Sequence, residues 1–239
     1  MGKYKKLGRE ELRAMHRCYG HFYTLKVSSA VIVPCRSVLE IVKASSDLKE
    51  VQMLSTRKPN ATVIMMNPGG SEPLEPRESE DIIEAENFNI KFRGKLLADA
   101  SPDETQDRIM NVMAVLGWEH VRILNLSDVR EVDSDFLDRH LDQFNVINDS
   151  SIHSIFSDAR SGERTAAFCG NNTPLIMLGW GTKQYLKPAA RYALHYINQV
   201  LKAKYIGIKQ RGCCYYHPGR RKNWHNDIID QIYEAGLSG

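Results

Sequence analysis

Three short runs set polar side chains at the ends of apolar stretches. The first is Met66-Asn67-Pro68-Gly69-Gly70, which closes the apolar run 61–66. Proline cannot continue a central strand, so the chain must turn here. Such a turn points backbone N–H groups and the Asn67 amide at a ligand. That amide has both a donor and an acceptor, and so can orient a water. A plain strand-to-loop turn is the other reading. The second is Asn125, inside the apolar run 121–126, where an amide can read the donor–acceptor edge of a nucleobase or cap a turn. The third is Tyr216-His217-Pro218-Gly219, followed by Arg220, Arg221 and Lys222. A histidine can donate to a departing oxygen, and the basic residues can grip phosphates or enter a groove. The alternative is a basic surface turn with a structural histidine.

The elements that position these residues follow from periodicity. Short apolar runs at 61–66, 121–126, 175–179 and 205–208 predict four strands. Helical spacing predicts helices at 105–116, with Gly117 as its cap, and at 135–147, 188–203 and 226–235. Strands alternating with helices predict a three-layer α/β/α fold, with helices on both faces of a mainly parallel four-stranded sheet. Residues 8–17 and 37–43 read as helical, so 1–60 is expected to be a helical extension of a single domain whose core spans 61–225. The polar segment 71–94 reads as a long surface loop. In parallel sheets, ligands bind at the carboxyl ends of the strands. That rule selects Asn67–Gly70, Asn125–Asp128, Trp180–Lys183 and the His217 loop.

Composition narrows the classes. The 239 residues carry 32 basic and 29 acidic side chains, and 42% are hydrophobic, ordinary for a globular chain with a sizeable core. No apolar run approaches the roughly 18 residues of a membrane helix. The basic start has no apolar segment behind it, so the expectation is a cytoplasmic protein with no membrane partner. Five cysteines without a CxxC pair argue against a disulfide framework, a zinc site or an iron–sulfur cluster. Between Lys202 and Lys222 stand seven basic residues and no acidic one, interleaved with Tyr205, Tyr215 and Tyr216. That pattern suits a phosphate backbone, though a solvated basic face has the same composition.

The order of these motifs resembles the uracil-DNA glycosylase superfamily. Met66-Asn67-Pro68-Gly69 is similar to the first motif of its mismatch-specific and single-strand-selective branches. Leu124-Asn125-Leu126 is similar to the middle strand, Leu178–Lys183 to the Trp-Gly strand end, and His217-Pro218-Gly219 to the second catalytic motif. Asp103-Glu104-Thr105-Gln106-Asp107-Arg108 fits the Asp-x-Thr-x-x-Arg pattern of a bacterial branch; a helix start capped by Asp103 is the structural reading of the same residues. The likeness covers about 61 to 223. It implies a DNA glycosylase of uracil-DNA glycosylase-like fold, working without metal or other cofactor and without an obligate protein partner.

In that reading Asn67 positions water and His217 stabilises the leaving base, while Asn125 reads the base edge. Met66, Pro68 and Gly69 shape the pocket, and Phe88 or Phe92 stacks on the base. Lys183, Arg220, Arg221 and Lys222 hold DNA. Two departures matter: His217-Pro218-Gly219 stands where the family usually has His-Pro-Ser, and the first motif lacks the aspartate base of the most active uracil enzymes. They argue against efficient removal of plain uracil. Asp99 and Asp103 suggest a roomy pocket for a modified pyrimidine, such as the glucosylated hydroxymethylcytosine of phage DNA. A non-catalytic nucleic-acid-binding module and a hydrolase or transferase of free nucleotides remain the alternatives.

Overall fold

The computed structural model describes residues 3–44, 51, 53–75, 81–88, 96–133, 136–139, 141–142, 151–170 and 172–237. The four expected strands form the parallel heart of the sheet. They are β3 (Ala61–Met65), β6 (His120–Asn125), β7 (Leu175–Leu178) and β8 (Tyr205–Ile206). They lie in the order β6-β3-β7-β8, with every neighbouring pair parallel. β3 and β6 are buried along their whole length, which is why neither shows the strict alternation of a half-buried strand.

The sheet does not end there. β1 (His16–Lys26) and β2 (Ile32–Lys43) form a long antiparallel hairpin, and β2 pairs antiparallel with β6. β4 (Asp81–Glu84) and β5 (Ala98–Asp99) both pair with β1. The result is one mixed sheet of eight strands, not four. Two further expectations are corrected. Residues 37–43 are strand rather than helix, and residues 16–43 belong to the sheet rather than to a helical extension. Both faces of β2 are covered from Arg36 to Val42. A strand buried on both sides loses the period-2 alternation that would distinguish it from a helix. The segment 71–94 also carries structure where a loop was expected, since β4 lies within it.

Helices cover both faces. On one side lie α1 (Arg9–Met15) and α2 (Glu104–Leu116). On the other lie α3 (Ser161–Ala167) and α4 (Lys187–His195), the latter running on as a π-helical segment, Tyr196–Leu201. α5 (Trp224–Glu234) joins the first group. Leu12, Ile109, Met113, Trp224 and Ile228 pack with Val63 and Ile123 on that first face. Ala167, Phe168 and Ala193 pack with Ile64, Leu124 and Ile176 on the second. Each fully buried Leu, Ile, Val, Met or Phe side chain stabilises by about 1.5–3 kcal/mol, so these two cores hold the strands in place. The expected helix 105–116 stands one residue longer, with Gly117 as a left-handed cap at φ 68°. Of the helix expected at 135–147, residues 136–139 and 141–142 are helical, and the others lie outside the described residues.

A buried ionic cluster ties the hairpin to the parallel core. Glu40 on β2 sits opposite Arg122 on β6. It accepts from Arg122 Nε at 2.8 Å, and its other oxygen lies 2.8 Å from His120 Nε2. Arg122 also donates to the carbonyls of Ala167 and Leu54, both at 2.8 Å. A buried pair satisfied this fully can offset its own desolvation, whereas losing one partner leaves an uncompensated charge. The cluster therefore fixes the register of β2 against β6.

Candidate functional site

At the carboxyl edge of the parallel strands the chain encloses a cavity of about 510 Å³. That volume suits a drug-sized ligand and exceeds what a bare pyrimidine ring needs. Its walls come from five chain segments and one strand of the hairpin.

The first wall is the turn after β3. Gly69 has φ 64°, a left-handed conformation that a side chain adopts only under strain. This lets the chain fold back sharply, so that Met66, Asn67, Pro68, Gly69 and Gly70 all line the cavity. Asn67 is fixed from behind: its Nδ2 donates to the carbonyls of Glu131 at 2.6 Å and Val129 at 3.2 Å. Both amide donors are thereby used, leaving Oδ1 as the acceptor the side chain can offer.

Asn125 ends β6, fully buried, and lines the cavity. Neither its Oδ1 nor its Nδ2 has a hydrogen-bond partner. A buried amide left in this state costs about 1–3 kcal/mol per group. A ligand that offers one donor and one acceptor would satisfy both groups at once.

His217 is brought over the cavity by the chain after β8. Gly181 N–H donates to Tyr215 O at 2.7 Å, and Tyr216 N–H to Ile208 O at 2.9 Å. These bonds lay the returning segment beside the end of β7. Gly219 N–H then donates to His217 Nδ1 at 3.1 Å. A nitrogen that accepts carries no proton, so the neutral ring bears its proton on Nε2. Burial lowers the His217 pKa to about 4, with the charges of Arg220 and Arg108 adding and Asp103 opposing. At neutral pH the ring is an uncharged N–H donor.

α2 supplies the fourth wall. Asp103 caps it, its Oδ1 accepting from Thr105 N at 2.6 Å and Gln106 N at 3.3 Å, while Gln106 Oε1 accepts from Asp103 N. Asp103, Thr105 and Gln106 all line the cavity. Arg108, one turn further, donates to Arg221 O at 3.2 Å and so braces the His217 loop. The Asp-x-Thr-x-x-Arg pattern therefore links the helix start to the histidine loop. Trp180, anchored by Nε1 donating to Cys213 O at 2.8 Å, completes the rim with Lys183 and Arg220.

The cavity thus gathers Met66, Asn67, Pro68, Gly69, Asp103, Asn125, Lys183, His217 and Arg220. Other sequence candidates lie elsewhere. Phe88 packs edge-on against Tyr23 and beneath Arg160. Asp99, on β5, pairs with Tyr19 of β1. Arg221 binds Asp227 at 2.6 Å and stacks on Tyr216. Arg221 and Lys222 are not in the wall, and Phe92 lies outside the described residues. The basic run 202–222 is also divided. Lys202 and Lys204 face a separate hollow with Lys58 and Pro174, whereas Arg220 is at the cavity mouth. Among the described residues no group of three His, Cys, Asp or Glu side chains could hold a metal ion, and no helix is long and apolar enough to cross a membrane.

Some wall residues escape sequence reasoning, Glu131, Val132 and above all Arg36. Arg36, on β2, lines the cavity with 1% of its surface exposed. No turn or motif marks it, and only the pairing of β2 with β6 carries it there.

No curated protein and no solved structure matches this chain. Residues 96–219 match the model of the family described as protein of unknown function (DUF1643), a span that holds Asp103, Asn125 and His217 and excludes Asn67 and Arg36. That match covers more than half of the 239 residues, and the chain belongs to this family.

Proposed function

We propose that the cavity is the base pocket of a DNA glycosylase, and that the protein acts on DNA in the cytoplasm. The observation that carries this reading is the buried, unpartnered Asn125 amide, set in one cavity with the Asn67 turn and the neutral His217. A nucleobase edge presents the donor and acceptor that such an amide lacks.

The chemistry is hydrolysis. The bond between C1′ and the base nitrogen breaks, and its electron pair leaves with the base. Water adds its oxygen to C1′, one proton going to the departing base and the product being an abasic site. Asn67 Oδ1, held by its two backbone anchors, accepts a hydrogen bond from that water. His217 Nε2–H donates to the base oxygen on which negative charge develops. A preorganised neutral donor in a water-poor pocket is worth more than the same donor in solution. The nucleotide must leave the stack to reach these groups, and Arg220 and Lys183 at the mouth suit the flanking phosphates. The cavity volume favours a modified pyrimidine over plain uracil, in keeping with the motif departures; the glucosylated hydroxymethylcytosine of phage DNA is one such base.

The test is a panel of DNA duplexes and single strands carrying uracil, mismatches or glucosylated hydroxymethylcytosine. Each is incubated with the protein and then treated with alkali. Strand breaks on one substrate that vanish with Asn67→Ala are the expected result. No breaks on any substrate, with DNA binding intact, would replace this reading by a non-catalytic nucleic-acid-binding module.

A further inference from the structure

Arg36 is a buried cation with two guanidinium nitrogens unsatisfied. Its Nε and Nη1 are buried and have no hydrogen-bond partner, and it makes no ion pair among the described residues. Its position is nevertheless tightly set. Its backbone N–H donates to Asp128 O at 2.8 Å. Asp128 in turn is held by Arg160 at 2.7 Å and Tyr23 at 2.9 Å. Its stem crosses Gly20 so closely that a Cβ there would lie 3.3 Å from Arg36 Cδ and 2.7 Å from the Phe22 ring. Burial lowers its pKa to about 10, with Asp103 opposing, so the group stays charged at neutral pH.

Burying a charge without a partner is among the most expensive arrangements a fold can hold. Packing alone would be served better by an uncharged side chain of the same length. The cost is recovered when a ligand supplies acceptors inside the cavity. Asn125 already offers the donor and acceptor that a base edge needs, which leaves Arg36 for another part of the ligand. Asp103 faces the same cavity and offsets part of the Arg36 charge, so a neutral acceptor suffices.

We infer that Arg36 is a specificity-determining residue, donating to an uncharged oxygen-bearing substituent of the base, a hydroxyl or a carbonyl. This rests on the glycosylase reading for the identity of the ligand, but not for the donor role of Arg36.

The experiment measures binding in the Asn67→Ala background, so that DNA is not consumed. The probes are duplexes with a single 5-methylcytosine or 5-hydroxymethylcytosine, which differ by one oxygen. With Arg36 present, the hydroxymethyl duplex should bind about tenfold more tightly, the scale of a good polar contact to a base. With Arg36→Met the preference should fall to less than about twofold. The midpoint of thermal unfolding should stay level or rise, because an unpaired buried charge has gone. Equal binding of both probes by the Arg36 protein would overturn the inference, as would a preference that survives Arg36→Met. Failure of the glycosylase reading is seen separately, as no abasic product from the protein with Asn67 intact.

Discussion

Gly219 donates its backbone N–H to His217 Nδ1 at 3.1 Å. One bond therefore decides which ring nitrogen carries the proton of the neutral ring. Combined with a pKa lowered to about 4 by burial, it makes His217 a neutral donor across the physiological range.

The pH dependence of cleavage follows. Protonation of His217 occurs only near pH 4, so single-turnover cleavage should show no titration of this residue between about pH 5.5 and 8. His217→Ala should lower the rate by about 10²–10³-fold, the range for loss of one preorganised donor, with no new break in the profile. An acid limb near the ordinary histidine pKa of about 6.5, absent from the variant, would contradict the neutral-donor role.

Asn125 separates recognition from stability. Its amide is buried and unpartnered, and it borders an existing cavity, so truncation opens little new void. Asn125→Ala should leave urea-unfolding stability unchanged or raise it by about 1 kcal/mol. It should lower kcat/KM by about 10- to 100-fold through lost base contact. Asn125→Asp should destabilise by about 3–5 kcal/mol, since it buries a carboxylate without a partner. A large loss of stability in Asn125→Ala would mean that the amide is a structural member of the sheet edge.

His153 governs stability at low pH. It is buried, with Nδ1 lying 3.0 Å from Ser127 Oγ, and its pKa is lowered to about 3, first by burial and then by the charge of Arg160. The unfolded chain takes up this proton near pH 6.5, whereas the fold resists until about pH 3. Between those values the unfolded state binds more protons, so stability is lost as pH falls and is fully present above about 6.5. The loss is on the order of a few kcal/mol. Urea titrations at pH 7 and pH 4.5 should show it, and His153→Asn should flatten the difference. An unchanged slope in that variant would assign the effect to other groups, such as His16 and His225, which burial also shifts downward.

Local signals made a good part of this protein legible from its residues. The turn at Asn67–Gly70, the Asp103 cap and the Gly117 terminus each depend on a few adjacent residues, and all stand where those residues place them. The four parallel strands were legible for a similar reason: burial on both faces compresses a strand into a short apolar run. The carboxyl-edge rule then brought Asn67, Asn125 and His217 into one cavity. The same burial misled at β2, where a longer run with Arg36, Ser37 and Glu40 inside it has no strand-like alternation. Its charged members make sense only beside their partners, Glu40 against Arg122 and Arg36 against the cavity. Phe88 shows the converse, an aromatic residue that in sequence suits a stacking platform and in the fold meets Tyr23 and Arg160. Turns and caps are decided by neighbours in the chain, and so they are written in it. Pairing across the sheet is decided by contacts between distant segments, and only the tertiary structure decided that Arg36 would stand in the cavity wall.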